Sequence, residues 1–235
     1  MKLAIMQPYF LPYIGYWQLL NMVDKFVVYD NIKFTKVGWI NRNNILINNM
    51  AYLFSLSLKK DSDFLNINER YLANNSLTNI TKILRQIENS YKKAPFFHYA
   101  FPLVESIFKN KNTNLFNYIY DSITKICFYL NIETEIIVSS SIDVDHNLKG
   151  QEKVISISKK LKAKTYVNPP GGIYLYQRER FKQEGLKLNF IKPELNKYQQ
   201  YNNKFVSKLS IIDVIMYNSV DNVKNKLNDY KIVYK

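Results

Sequence analysis

The densest run of chemically useful side chains is Asp30-Asn31-Ile32-Lys33-Phe34-Thr35-Lys36-Val37-Gly38-Trp39-Ile40-Asn41-Arg42-Asn43. Asp30 ends an apolar stretch and could serve as a general base, with Lys36 and Arg42 as a clamp for phosphate or carboxylate. Trp39 offers a stacking face, and Asn41 and Asn43 offer amide contacts. That combination suits a nucleotide-linked substrate. A purely structural reading also fits: Trp39 in the core, Arg42 paired with Asp30, and the asparagines turning the chain.

Three further places qualify. Gln7-Pro8-Tyr9-Phe10-Leu11-Pro12-Tyr13-Ile14-Gly15-Tyr16 leads into a helix whose free N–H groups favour an anion such as a diphosphate, or else it is an aromatic loop packed on a sheet. Asn168-Pro169-Pro170-Gly171-Gly172 lets backbone approach a ligand, or is an ordinary tight turn. Tyr198, Gln199 and Gln200 could reach a sugar or base edge, or lie on the surface.

The elements that must position these groups follow from hydrophobic period and punctuation. Residues 2–7 read as a buried strand ending at Pro8, Tyr13–Val23 as a helix, and Lys25–Asp30 as a second strand. Strand, helix and strand in 30 residues form a βαβ unit, so a parallel sheet opens the chain. Ligands of such sheets sit at the carboxyl ends of the strands, which makes Gln7, the Pro8–Pro12 loop and Asp30 neighbours. Alternation from Phe34 to Leu58 about Asn48-Asn49 predicts a β-hairpin. Leu77–Ser90 is expected to be helical, with Pro95 and Pro102 breaking the pattern around His98. A helical region from Leu103 to about Leu130 follows, looped near Asn110–Asn114. Later come strands at Glu135–Ser139, Lys164–Asn168 and Leu186–Ile191, and helices at Gln151–Leu161, Ser210–Asn218 and Val220–Tyr230. The expected fold is α/β: one domain over 1–235, a mostly parallel Rossmann-like sheet flanked by helices, with a β-hairpin and a helical insert at about 77–130.

Composition narrows the function classes. The chain has 235 residues, of which 47% are hydrophobic and 15% aromatic, enough for a sizeable core. No apolar run approaches the roughly 20 residues that span a bilayer, and Pro8 interrupts the N-terminus too early for a secretory signal, so a cytoplasmic protein is expected. Cys127, in an apolar helix, reads as packing, and His98 and His146 are isolated, so no metal site is expected. The net charge of +14 could favour phosphate-rich partners. Lysine dominates that charge, the arginines being only Arg42, Arg70, Arg85, Arg178 and Arg180, which is a poor footprint for reading nucleic acid.

Taken in order, the chain resembles the WbqC-like family of bacterial O-antigen and surface-polysaccharide gene clusters. The resembling blocks are Gln7 to Tyr16, Asp24 to Asp30, Lys36 with Gly38 to Asn43, Tyr91 to Pro95, Tyr166 to Asn168 with Gly171 and Gly172, and Leu209 to Asp213. The resemblance implies an N-acyltransferase, with glycine the usual acyl group, acting on the amine of a nucleotide-linked sugar of the dTDP-4-amino-4,6-dideoxyglucose type. Many relatives carry a histidine where this chain has Met6, so Asp30 becomes the expected base. Lys36 and Arg42 with the Gly15 helix start would hold the diphosphate, Trp39 or Tyr9 the pyrimidine, and Asn41, Asn43 and Asn168 the sugar or oxyanion. No tightly bound cofactor is expected. The acyl donor is open among a carrier-protein thioester, an aminoacyl-tRNA, acyl-coenzyme A and an ATP-activated amino acid, which makes an acyl carrier protein or tRNA a possible partner. The alternatives are a non-catalytic nucleotide-sugar or nucleic-acid binding protein, and an ATP-dependent ligase or nucleotidyltransferase.

Overall fold

In the computed structural model, which describes residues 1–201 and 204–233, strand β1 (Lys2–Met6) buries Leu3, Ala4 and Ile5 in succession, as a central parallel strand must. Helix α1 (Ile14–Met22) returns the chain to β2 (Lys25–Val28), which pairs parallel to β1 with Ile5 opposite Val27. A two-stranded hairpin, β3 (Arg42–Ile47) and β4 (Met50–Ser55), comes next, then α2 (Ser76–Tyr91), α3 (Phe97–Phe108) and α4 (Leu115–Tyr129). The remaining elements are β5 (Glu135–Val138), α5 (Gly150–Lys160), β6 (Thr165–Asn168), α6 (Arg178–Gln183), β7 (Lys187–Pro193), α7 (Ile211–Tyr217), α8 (Val220–Leu227) and β8 (Tyr230–Val233).

The six-stranded sheet has the order β5-β2-β1-β6-β7-β8, parallel except for β8, which runs antiparallel to β7. Numbered by appearance within the sheet, this is the doubly wound order 3-2-1-4-5-6, so the direction of winding reverses between β1 and β6. Alternate residues supply two apolar layers. Ala4, Phe26, Val28 and Val167 face α1, α7, α8, the hairpin and the α2–α4 helices, around Phe10, Trp17 and Phe108. Leu3, Ile5, Val27, Tyr166, Leu188 and Phe190 face α5 and α6.

Local chemistry explains the sharp features. Asn48 and Asn49 both take positive φ, 50° and 65°, as a two-residue hairpin turn requires, and asparagine tolerates this region. Leu11, at φ 47°, is held in the same region by its carbonyl, which accepts from Asn43 Nδ2 at 2.5 Å and Ser210 Oγ at 2.7 Å.

Two boundaries differ from the sequence expectation. Pro102 does not break the chain: it sits inside α3. Pro102 and His98 are both exposed, so water can satisfy the His98 carbonyl that proline cannot, while Ala100, Val104 and Ile107 hold the buried face. The last helix ends at Leu227, and Tyr230 instead opens β8 against Pro193. Buried Gln18 fixes this change of direction, its Nε2 donating to the carbonyls of Lys226 (2.8 Å), Asp229 (2.9 Å) and Glu194 (3.3 Å). Among the described residues, no helix is long and apolar enough to cross a membrane.

Candidate functional site at the carboxyl edge of the sheet

Parallel pairing sets the ends of β1 and β2 side by side, with the Tyr29 N–H donating to the Met6 carbonyl at 2.7 Å. Asp30 follows immediately and is 2% exposed. Its Oδ1 accepts from the Ser140 N–H (2.9 Å), just beyond β5, and its Oδ2 accepts from Asn68 Nδ2 (2.8 Å). Beside it, Asn31 Nδ2 lies 2.9 Å from His146 Nδ1. Three oxygens of this neighbourhood, Asn31 Oδ1, Asn68 Oδ1 and Ser139 Oγ, are buried without a hydrogen-bond partner. A buried carboxylate next to unsatisfied acceptors is an environment for a donor-rich group such as an amine.

Lys153 closes one side. It lies on the apolar face of α5, almost wholly buried, with Nζ donating to the His146 carbonyl at 3.2 Å and standing 5.2 Å over the Tyr29 ring. Burial lowers its pKa, while Asp30 and Asp145 act in the opposite direction. Burial also pushes the Tyr29 hydroxyl up to about 12.

The other side of the switch point is the end of β6. Tyr166 donates to Asn168 Oδ1 at 2.9 Å, and Asn168 Nδ2 has only the long contact of 3.2 Å to the neighbouring Pro169 carbonyl. A Cβ on Gly172 would fall 1.8 Å from that Nδ2, so the glycine is what admits the amide. Gly171 faces open space. Tyr9 lies against Trp39, their rings 6.3 Å apart and inclined by 29°, and the indole is 46% exposed. Gln7 is exposed on the same edge.

The other expected site residues have different surroundings. Lys36, Asn41 and Arg42 line a cleft of about 750 Å³ at the base of the hairpin. There Lys36 pairs with Asp63 at 2.7 Å, and Asn41 Nδ2 donates to the Leu56 carbonyl at 2.9 Å. Arg42 does not pair with Asp30: it donates to the carbonyls of Gly38 (2.7 Å) and Lys36 (2.8 Å) and so ties the 36–42 turn together. Asn43 is buried on the Phe10 and Leu11 carbonyls. The ring of Tyr13 covers Gly15, where a Cβ would come within 2.5 Å, so the glycine there serves packing. Cys127 is buried and its thiol is pushed up to about 12 by desolvation, as expected of a packing residue.

Tyr198 belongs to a network around Asp213, while Gln199 is exposed and its neighbour Gln200 is the buried one. Asp213 accepts from Tyr91 Oη (3.0 Å), Tyr198 Oη (2.5 Å) and Gln200 Nε2 (2.6 Å), and the Leu46 N–H donates to Tyr91 Oη (2.8 Å). Burial raises Asp213 to about 6 against the opposing effect of these three donors.

The sequence reading missed Asn68 and Lys153. Asn68 lies in an irregular stretch with no periodic signal, whereas Lys153 was detectable as a cation on the apolar stripe of α5.

The sequence profile of the WbqC-like protein family matches residues 7–225, which include Gln7, Asp30, Asn68, Lys153 and Asn168. An uncharacterised protein of Mycobacterium tuberculosis (strain ATCC 25618 / H37Rv), Rv1507c, is 24% identical over 217 residues, covering 91% of this chain and 92% of the relative. No solved structure matches.

Proposed function

Because the chain belongs to the WbqC-like protein family, we propose that it is an N-acyltransferase that forms an amide on the amine of a nucleotide-linked amino-deoxy sugar, in surface-glycan biosynthesis. The observation that carries this reading is the buried Asp30 carboxylate, with unsatisfied oxygens on Asn31, Asn68 and Ser139, which adjoin it or its hydrogen-bond partners. Those acceptors would receive the sugar ammonium, and Asp30 would take the proton that must leave before nitrogen can attack an acyl carbon. The attack places negative charge on the carbonyl oxygen, which needs a donor, and collapse of that oxyanion would break the acyl–donor bond and release the donor's thiol, tRNA hydroxyl or phosphate. Asn41 and Asn43 already spend their amides on backbone carbonyls, so Asn168 is the better oxyanion contact of the three. The exposed Trp39 face, backed by Tyr9, offers a stacking surface for the substrate.

The test is mass spectrometry of dTDP-4-amino-4,6-dideoxyglucose incubated with the protein and, in turn, acetyl-coenzyme A, glycine with ATP, an aminoacyl-tRNA and a charged carrier protein. A mass gain of one acyl or aminoacyl group with one donor is expected. Saturable binding of the sugar nucleotide without product from any donor would instead identify a nucleotide-sugar binding protein.

A further inference from the structure

The cleft beneath the hairpin contains more than the sequence motif suggested. Five cations line it, Lys36, Arg42, Lys59, Lys60 and Arg70, against two acids, Asp61 and Asp63. Arg70 is 5% exposed and shapes one wall, because its guanidinium donates to the Ser62 carbonyl at 2.9 Å and lies 5.0 Å from the Phe34 ring. Its Nε is buried without a partner. Lys59 and Lys60 are exposed on that wall, and no carboxylate pairs with either among the described residues. Phe64 also lines the cleft and is 82% exposed, an unusual position for a phenyl ring unless something covers it. Lys33 Nζ stands 4.7 Å from the centroid of the Phe64 ring. Net positive charge, a buried arginine and this solvent-exposed aromatic in a cleft of about 750 Å³ match the chemistry of a nucleotide phosphate.

We propose that this cleft holds the nucleoside diphosphate, with Lys59 and Lys60 on the phosphates, Arg70 setting the wall that presents them, and Phe64 against the base. This deepens the acyltransferase reading and rests on it for what is attached to the diphosphate. The geometry relates the two places directly. The segment Asp30–Phe34 runs alongside 65–68, through Asn68 N to Asp30 O, Ile67 N to Ile32 O and Phe34 N to Leu65 O. Asp30 therefore stands at one end of this run and Phe34, a cleft residue, at the other. Four residues of extended chain span at most about 14 Å. A hexosyl diphosphate can cover such a distance, with its amine at Asp30 and its phosphates in the cleft. Tyr9 and Trp39 would then face the sugar or the acyl group, and not the pyrimidine.

Titration calorimetry with dTDP and with inorganic pyrophosphate, in the absence of any acyl donor, tests the assignment. Lys59→Ala/Lys60→Ala changes two exposed side chains and leaves the fold intact. It is expected to weaken both ligands by about tenfold or more and to flatten the salt dependence of binding. Phe64→Ala is expected to weaken dTDP while sparing pyrophosphate. dTDP affinity within twofold of wild type in the double-lysine variant would overturn the assignment. Because dTDP has no amine, cleft binding without acyl transfer from any donor would refute the acyltransferase reading alone.

Discussion

Asp213 offers a prediction whose sign and size follow from its surroundings. The carboxyl group is fully buried and its pKa rises from 3.8 to about 6, with desolvation outweighing three hydrogen-bond donors. A raised folded-state pKa means that the native protein binds this proton more tightly than the unfolded chain does. The resulting stability is fully present below pH 3.8 and is lost as pH rises through about 6. A shift of about two units corresponds to about 3 kcal/mol over the whole titration. Other carboxylates obscure this in the wild type: exposed Asp63 and Asp143 and half-buried Glu184 are lowered by lysine or arginine partners and act with the opposite sign. Asp213→Asn removes only the one titration. Urea denaturation of both proteins at intervals from pH 4 to pH 7.5 therefore isolates it, provided both still unfold in two states. The wild-type advantage over the variant should shrink by about 2–3 kcal/mol across that range. A difference independent of pH would refute the argument, and a difference that grows with pH would show that the donors, not burial, dominate the carboxylate.

The remaining predictions begin at the carboxyl edge. Asp30→Asn should reduce acyl transfer by about 10²–10⁴-fold while leaving sugar-nucleotide affinity within a few-fold, read by product formation and calorimetry. Gly172→Ala should displace the Asn168 amide, costing about 1–3 kcal/mol in denaturant unfolding and most of the turnover. Ser210→Ala removes one of two side-chain donors to the Leu11 carbonyl and should cost about 1–2 kcal/mol, seen as a fall in Tm. Breaking the exposed Lys36–Asp63 pair with Asp63→Asn should change stability by less than about 1 kcal/mol.

How far the sequence reaches depends on the range of the interaction involved. Strand-helix-strand periodicity from Lys2 to Val28, the asparagine turn of the hairpin and the helix beginning about Ser210 were all legible, because each depends on neighbours a few residues away. The parallel order that puts Gln7, Asp30 and Asn168 on one edge was partly legible, since short βαβ crossovers leave few topologies. The aspartate at the end of β2 was visible as a chemical group, but its hydrogen-bond partners were not. Asn68 and Ser140 lie 38 and 110 residues further along, and only the folded chain brings them to it. Distance in sequence likewise hid the roles of Asn43 and Tyr198, whereas the carbonyl partners of Arg42 lie only four and six residues back. Each looked like a ligand contact, yet each donates to the chain itself, because a buried carbonyl or carboxylate left without a donor costs more than the side chain's freedom. The last strand illustrates the same limit. Residues 228–230 read as a continuation of the helix, but the open edge of β7 and the amide of Gln18 are available only in three dimensions, and ladder pairing there outweighs the weak local preference.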